Sequence, residues 1–570
     1  MADTINQKPC VVKKIETPQG FSVSYKEHFL YSKYNPSKNI LSAVESLSLL
    51  PDTIILCFSP LLGYGLKELL NKLPSNCLII LCEAEEALYD FSAEEKIFDQ
   101  TDPHILICKP DSLTELPLTI YKLTASNFYK RVIHFDMSAG TQFQKDFYDR
   151  LFSACTDSLM TFWKNRITLT KFGRRYSRNL FENLHYLADT KPVSDFFASV
   201  DRPIIVFGAG ESTQTFINGL LRRCAPRNDG WPYYILCADT ALQPLLRNGI
   251  RPDGVFVEEA QSVIVKAFTG TPSDIQIFAG LSSIPNLVHR TGSSNLSFFF
   301  TEYAQGSFFD SLKSQGFMPP ANKPFGSVGL TALYYALRFR KNEDIPVYVA
   351  GLDFSYSTGL THTKGALAHI MRLINANRLL PPQNYAAAFG LGTEKITGKN
   401  GRPVITTPTL KSYASMFRSF FAGTKNLFDA GESGIDFGLP RVDMDCHVAD
   451  APRNDGIGSA PRNDAALEAE DTRHDAHEGV RHCEAAGRDN SHATEIDTFL
   501  QSERTALENL RNLLTGKTNL KDKELLAEIK KIAEPREYLY LHFADGYRLS
   551  TSQSFLNRLR TEIDYFLKFI

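Results

Sequence analysis

The residues best suited to chemistry lie close together in the second half of the chain. Asp353 follows the apolar run 347–350, and His362 and Lys364 come nine and eleven residues after it, in the sequence Thr-His-Thr-Lys-Gly. A histidine titrates near neutral pH, so an imidazole that a carboxylate orients can take a proton from a hydroxyl group. A lone histidine is often structural, but one in a loop between a glycine-rich turn and a lysine is typical of a functional position. We predict His362 as a general base and Asp353 as the residue that orients it.

A glycine-rich turn supplies the second set of candidates. Residues 208–212 read Gly-Ala-Gly-Glu-Ser and lie between an apolar run and a helix-like stretch. Glycines at such a turn let backbone N–H groups approach a phosphate, and the N-terminus of the following helix, which Ser212 could cap, favours negative charge. A tight structural turn uses the same residue types. On the phosphate-binding interpretation, Gly208, Gly210 and Ser212 bind a nucleotide.

Acidic residues lie at the ends of the next two apolar runs. Asp239 follows the run 233–237, and Glu258 and Glu259 lie at the end of the run 254–258. Doubly wound folds place a ribose-reading or metal-holding carboxylate at such positions. The alternative for Asp239 is a simple helix cap, and for the two glutamates it is a solvated loop. Because neighbouring side chains on a strand point to opposite faces, at most one of the glutamates can face the site.

Short apolar runs that alternate with helix-like stretches must position these residues. The first group of runs lies at 53–58, 77–82, 104–108 and 131–135, and the second at 203–207, 233–237, 254–258, 275–279, 296–300 and 346–350. This alternation predicts an α/β protein with two doubly wound, Rossmann-like parallel sheets. Such sheets bind ligands at the carboxyl ends of their strands. In the first group, Gly63, Gly65 and Glu83 have the spacing of a dinucleotide site, which plain strand-to-helix turns share.

The chain is predicted to contain five segments. They are an N-terminal Rossmann-like α/β domain at 1–145, a helical connection at 146–198, a central nucleotide-binding domain at 199–445, an insert at 446–493 and a helical C-terminal domain at 494–570. The insert has no aromatic residue and too few large aliphatic residues to offset the entropy of ordering, so we expect it to be disordered.

The overall composition excludes several classes of protein. The chain has 62 basic and 64 acidic residues, so no global field attracts a nucleic acid or an anionic membrane, and any anionic ligand must be bound locally. No apolar run approaches the ~20 residues that cross a bilayer, and the first residues carry no secretion signal. Ten cysteines without a Cys-x-x-Cys pair indicate buried reduced thiols rather than a zinc site. We predict a cytoplasmic protein with no nucleic-acid partner and no membrane span.

The order of the short motifs resembles the MptE-like domain family. That family includes the archaeal 6-hydroxymethylpterin diphosphokinases and the larger bacterial motility-associated (Maf) flagellin glycosyltransferases. The resemblance runs from about 160 to 440 and rests on Gly-Ala-Gly-Glu-Ser at 208, Ala-Asp-Thr-Ala at 238, Gly-Ile-Arg-Pro-Asp at 249, Gly-Ser-Val at 326, Gly-Leu-Asp-Phe-Ser at 351, Thr-His-Thr-Lys-Gly at 361 and Gly-Glu-Ser-Gly-Ile at 431. Two residues depart from the family pattern: Glu211 stands where proline is frequent, and Glu259 stands where aspartate is usual.

The layout is most similar to the Maf-type members, which add an N-terminal Rossmann-like unit and a helical C-terminus to a sialyltransferase-like centre. The resemblance implies transfer of a nonulosonic sugar, of the pseudaminic or sialic type, from a CMP donor to serine or threonine hydroxyls of flagellin. Gly208 and Ser212 would then hold the donor phosphate, Asp239 and Glu259 would lie near the ribose or a cation, and Lys364 would offset the charge on departing CMP. No tightly bound cofactor is expected beside the CMP-sugar donor, and a requirement for Mg²⁺ stays open.

On this interpretation, His362 takes the proton of the acceptor as the bond to the sugar loosens, with Asp353 orienting its ring. Two other functions stay open. A diphosphokinase would bind ATP at the same turn and hold Mg²⁺ with Asp239 and Asp353, because pyrophosphoryl transfer requires its charge to be neutralised. A non-enzymatic chaperone for flagellar export would sense a nucleotide with the centre and hold its client with the C-terminal helices.

Overall fold

The computed structural model divides into two compact units, Met1–Lys171 and Phe172–Ile570. It describes residues 11–98, 101–223, 231–285, 287, 289, 295–304, 306–442, 490–516 and 522–570. Most of the predicted insert at 446–493 lies outside the described residues. The predicted helical connection contains one long helix, α5 (Lys145–Leu187), within which the boundary between the two units falls.

A four-stranded parallel sheet forms the centre of the first unit. Its elements, in chain order, are α1 (Lys38–Ser46), β4 (Thr53–Phe58), α2 (Leu66–Asn71), β5 (Leu78–Cys82), α3 (Glu86–Glu94), β6 (Ile105–Cys108), α4 (Leu116–Asn127) and β7 (Arg131–Asp136). They follow a small antiparallel sheet of β1 (Lys13–Thr17), β2 (Gly20–Tyr25) and β3 (His28–Phe29). The order β6-β5-β4-β7 confirms the first predicted sheet. Every residue of β4 and β5 is buried, because helices cover parallel sheets on both faces.

An eight-stranded parallel sheet forms the centre of the second unit. Its strands are β8 (Ile204–Phe207), β9 (Tyr234–Ala238), β10 (Gly254–Val257), β11 (Gln276–Gly280), β12 (Leu296–Thr301), β13 (Ala321–Asn322), β14 (Val347–Ala350) and β17 (Leu427–Asp429). The order is β13-β12-β11-β10-β9-β8-β14-β17. The chain therefore builds outward from β8 in one direction and then returns to add β14 and β17 on the other side. The strand order reverses between β8 and β14, which is the point where doubly wound sheets bind their ligands.

The second unit also contains helices and a separate two-stranded hairpin. The helices are α6 (Ser212–Arg223), α7 (Asp239–Arg247), α8 (Ser307–Ser314), α9 (Val328–Phe339), α10 (Leu367–Ile374) and α11 (Pro408–Phe421), and the hairpin is β15 (Glu394–Thr397) with β16 (Pro403–Thr406). Helix α9 buries eight of its twelve residues on the sheet. Its Tyr335 ring stacks on Phe256, which stacks in turn on Phe278. This aromatic layer fixes the central strands that carry the site.

The C-terminal region is helical, as predicted, and belongs to the second unit. It comprises α12 (Asn490–Leu514), α13 (Asp522–Ala533) and α14 (Gln553–Phe566). Tyr538 is fully buried between them and donates its hydroxyl to Glu503 at 2.7 Å, and Arg536 pairs with the same carboxylate at 2.9 Å. None of the helices that the structure describes combines the length and the hydropathy of a membrane-crossing helix.

Candidate active site

The loops that follow β8 and β14 cross backbone to backbone at the switch point. The Gly208 N–H donates to the Ala350 carbonyl and the Gly210 N–H donates to the Gly351 carbonyl, both at 2.8 Å. A Cβ on Gly208 would overlap the Gly351 carbonyl, and a Cβ on Gly210 would lie 2.6 Å from the same oxygen and 2.6 Å from Asp353 Cγ. Gly351 itself has a φ of +73°, where L side chains are strained. The glycines thus meet the steric demand of this crossing, and their phosphate-binding role stays a prediction.

Asp353 caps the N-terminus of α6. Its Oδ2 accepts a hydrogen bond from the Ser212 N–H at 2.8 Å, and its Oδ1 accepts one from the Ser212 hydroxyl. Burial raises the pKa of Asp353 to about 6, although the bonds from Ser212 and the charge of Lys399 act in the opposite direction. The sequence had suggested Ser212 as the cap. A carboxylate from the neighbouring loop takes that place because a helix N-terminus stabilises negative charge.

A buried ion pair beside Asp353 was missed in the sequence. Lys399 Nζ lies 2.8 and 2.7 Å from the two carboxylate oxygens of Asp429, and the side chains are only 1% and 4% exposed. Asp429 ends β17, and Lys399 lies in the turn between β15 and β16. A Cβ on Gly431 would lie 2.9 Å from Lys399 Nζ and 3.1 Å from Ser212 Oγ, so glycine at this position leaves room for both side chains. The lysine lies in a Gly-Lys-Asn-Gly sequence that is typical of an exposed turn, so no local signal identifies it.

The loop that carries His362 is attached to the glycine turn. The Thr363 N–H donates to the Ala209 carbonyl at 2.9 Å, which fixes the neighbouring His362 beside the turn. The imidazole is partly buried, and its Nδ1 lies 3.3 Å from Thr361 Oγ1. Burial lowers the pKa of His362, which favours the neutral form that a general base requires. Lys364, one residue beyond Thr363, is exposed.

The predicted hydrogen bond between Asp353 and His362 is not formed among the described residues. Ser212 engages both oxygens of Asp353, and the His362 ring contacts Thr361 instead. The carboxylate is also enclosed, because Asp353 is 2% exposed and a Cβ on Gly210 would lie 2.6 Å from its Cγ. Asp353 therefore holds the glycine turn rather than the imidazole, and the catalytic roles of both residues stay predictions.

Asp239 lies at the start of α7 and is buried. Its Oδ1 accepts a hydrogen bond from the Thr240 N–H at 2.6 Å. Asp239 is the first residue of the helix and Ala238 occupies the cap position, so the ribose or cation role and the cap role of Asp239 both stay predictions. The pKa of Asp239 is raised to about 7. Burial is the main cause, and the charges of Glu259 and Glu258 contribute to the same rise. The three acids are therefore within electrostatic reach of one another at the ends of β9 and β10.

The two glutamates follow the end of β10 and accept hydrogen bonds from different partners. Glu258 accepts hydrogen bonds from the hydroxyl of Thr331, at 2.8 Å, and from that of Thr301. Glu259 instead accepts the Gln261 N–H at 2.9 Å. Across the described part of the chain, no group of three or more His, Cys, Asp or Glu side chains is arranged to hold a metal ion.

The pKa of Asp239 predicts a pH dependence that asparagine should remove. Its pKa rises from 3.8 in the unfolded chain to about 7 in the fold, so the folded state binds the proton more tightly. The free energy of unfolding should therefore fall as the pH rises from about 4 to about 7, and this contribution should disappear in Asp239→Asn. Urea unfolding of both proteins across this range measures the difference.

Asp344→Asn provides the control for this experiment. Lys425 lowers the pKa of Asp344, and the group is exposed, so its small contribution has the opposite sign. Parallel pH profiles for the wild type and Asp239→Asn would contradict the prediction.

The corresponding switch point of the first unit, between β4 and β7, is closed. Ser138 Oγ donates to Ser59 Oγ at 3.0 Å, and a Cβ on Gly140 would overlap the same Ser59 oxygen. Glu83 is 1% exposed and accepts a hydrogen bond from the Tyr148 hydroxyl at 3.0 Å, and burial raises its pKa. The acid of the glycine-to-acid spacing is therefore held inside the core, and the dinucleotide interpretation of this unit stays a prediction.

Comparison with known proteins assigns the class of the second unit. Residues 178–359, which include β8, the glycine turn, β14 and Asp353, match a family model described as 6-hydroxymethylpterin diphosphokinase MptE-like. An uncharacterized protein of Treponema pallidum (strain Nichols) is 30% identical over 572 residues, which is 98% of this chain and 94% of that protein. The chain therefore contains an MptE-like domain, and it belongs to one family with the Treponema protein over nearly its whole length.

One solved structure is similar over nearly the full length. It is titled as a Maf glycosyltransferase from Magnetospirillum magneticum AMB-1, and the similarity covers 99% of this chain and 91% of that chain, with 12% identity and a TM-score of 0.49. No functional statement follows from a similarity of this size.

Proposed function

We propose that the protein is a cytoplasmic glycosyltransferase that moves a nonulosonic sugar, of the pseudaminic or sialic type, from a CMP donor to serine or threonine hydroxyls of flagellin. One observation carries the proposal. The hydrogen bond from Thr363 to the Ala209 carbonyl fixes a partly buried histidine beside the glycine turn at the switch point. A CMP-sugar bound at the turn would therefore place the carbon that the acceptor hydroxyl attacks near a base.

The charges at the switch point favour a donor with few negative charges. Asp353, Asp429 and Glu211 are three acids near the turn, and Lys399 is the buried cation beside them. A CMP-sugar carries a single phosphodiester charge, whereas the triphosphate of ATP carries several and requires a metal ion to neutralise them. A monophosphate donor is thus the better electrostatic match, and the proposed reaction needs no tightly bound cofactor.

In the proposed reaction, the acceptor hydroxyl attacks the anomeric carbon as the bond between that carbon and the CMP phosphate oxygen breaks. CMP leaves with the electron pair, through an oxocarbenium-like state. Neutral His362 takes the hydroxyl proton, and Lys364 on the same loop offsets the charge of departing CMP. Asp353 contributes by holding Ser212 and the turn in place.

A diphosphokinase is the second candidate, and the description of the matched family model favours it. In that reaction, Asp239 and Asp353 would hold Mg²⁺ against the phosphates of ATP. The geometry supports this less well, because Ser212 engages both oxygens of Asp353.

Isothermal titration calorimetry should separate the two candidates. We expect CMP to bind more tightly than ATP with Mg²⁺. Gly210→Ala should weaken CMP binding by ~10-fold or more, because its Cβ would lie 2.6 Å from Asp353 Cγ and displace the turn. Gly219→Ala in α6 is the matched control, since a Cβ there meets no atom within 4 Å. Binding of ATP and a pterin with Mg²⁺, without CMP binding, would assign the diphosphokinase instead.

A further inference from the structure

Exposed apolar side chains are concentrated beside the candidate site. Among the described residues, 19 large hydrophobic side chains are exposed, and seven of them lie between 373 and 391. They are Leu373, Ile374, Leu379, Leu380, Tyr385, Phe389 and Leu391. Single exposed hydrophobic residues are normal on a protein surface, but a group of this size in one stretch indicates a binding surface.

These side chains belong to a segment that is fixed at its base. We define the apolar segment as residues 364–393, which contain α10 and a 3₁₀ turn at Tyr385–Phe389. The Asn384 N–H donates to the Gly359 carbonyl at 2.7 Å, and the Tyr356 hydroxyl donates to the Ala387 carbonyl at 2.9 Å. Helix α10 buries none of its residues. The segment is thus anchored next to the His362 loop, with its side chains turned to solvent.

The charge of the apolar segment has one sign. Lys364, Arg372 and Arg378 lie within it, and the sequence has no acidic residue from 356 to 393. This contrasts with the near balance of 62 basic and 64 acidic residues in the whole chain. The segment is therefore a local cationic surface around exposed leucine and phenylalanine side chains.

The shape and the charge of the segment select its partner. Leu379, Phe389 and Leu391 are 87%, 79% and 107% exposed, so they stand free of the surface and line no groove that would receive a peptide. A second copy on the same face would bring the positive side chains of the two copies together, because a two-fold interface pairs a patch with itself. A fluid, anionic surface meets neither obstacle, since lipids can surround projecting side chains and pair with the basic residues.

We propose that the apolar segment binds an anionic phospholipid surface. Leu379, Leu380, Phe389 and Leu391 enter the boundary between headgroups and acyl chains, and Arg378 meets the lipid phosphates. The protein then lies on the membrane without crossing it, with the His362 loop close to the lipid surface. This property is independent of the reaction that the site performs.

Flotation with phospholipid vesicles tests the proposal. The full-length protein should float with vesicles of phosphatidylcholine and phosphatidylglycerol and should remain behind with phosphatidylcholine alone. Leu379→Ser/Leu380→Ser should reduce the bound fraction ~10-fold or more, because two inserted leucines are removed. The control Leu50→Ser/Leu118→Ser removes two half-exposed leucines of the first unit and should bind like the wild type.

The electrostatic contribution of Arg378 to vesicle binding has its own control variant. Arg378→Gln should weaken binding ~5-fold, whereas Lys67→Gln, at an exposed position of α2, should not. Equal flotation of wild type and Leu379→Ser/Leu380→Ser, or no flotation with anionic vesicles, would overturn the proposal. If light scattering instead gives a dimer that this double variant converts to a monomer, without vesicle binding, the partner is a second copy and the lipid proposal is wrong.

Discussion

Replacing Lys399 by methionine is expected to lower the free energy of unfolding by about 3–5 kcal/mol. The substitution keeps most of the side-chain volume but removes the ammonium group that lies 2.7 Å from Asp429. Asp429 would then be a buried carboxylate with its principal counter-ion gone, and a charge in that position costs more than the original pair contributed. Chemical denaturation of the second unit, followed by far-UV circular dichroism, measures the change.

Two comparisons make this prediction specific. Lys425→Met removes the lysine of an exposed pair with Asp344, in which the side chains are 61% and 79% exposed, and should change stability little. The double variant Lys399→Met/Asp429→Asn removes the orphaned charge as well, so it should be more stable than Lys399→Met alone. If Lys399→Met and Lys425→Met unfold alike, the buried pair does not stabilise the fold as inferred.

His362→Ala is expected to reduce turnover by ~10²- to 10⁴-fold while CMP binding stays unchanged. The reason is that a general base acts on the proton of the acceptor in the transition state and contributes little to the affinity for the bound nucleotide. Burial lowers the pKa of His362, so the acid limb of the rate profile of the wild type should lie below the ordinary value of 6.5. Sugar transfer to flagellin at a series of pH values, with calorimetry of CMP, provides both measurements.

His369→Ala is the matched control for this histidine. It lies in α10, shortly after the His362 loop, where its ring accepts the Gly365 N–H at 3.2 Å, and we expect only a small loss of turnover. A His362→Ala protein that modifies flagellin at the normal rate would refute the base assignment. Loss of CMP binding in the same variant would instead show that the residue holds the donor.

Much of the fold was predictable because parallel strands covered on both faces are continuous apolar runs. The predicted runs 53–58 and 296–300 became β4 and β12 with at most one residue of difference. Strands β13 and β17 were missed, since two and three residues are too few to show a pattern. These two short strands are defined by their pairing with β12 and β14, which the local sequence does not reveal.

The sequence named some residues at the candidate site but not the contacts between them. The order of short motifs identified the Gly208 turn, Asp353 and His362. The bond between Ser212 and Asp353 joins residues 141 positions apart, and that distance in sequence leaves no periodic signal. The same limit hid Lys399, whose partner is fixed only when the hairpin of β15 and β16 folds against the end of β17.

The crossing of the two loops also restricts how this corner can evolve. A base change in a glycine codon that alters the residue always introduces a Cβ, and at Gly208, Gly210 and Gly351 that atom would meet backbone or a buried carboxylate. We therefore expect any single substitution at these three positions to disturb the crossing. New specificity can arise more easily at Glu211 and Lys364, whose side chains border the crossing and are not enclosed by it. Substitutions beside the crossing can therefore accumulate while the three glycines stay unchanged.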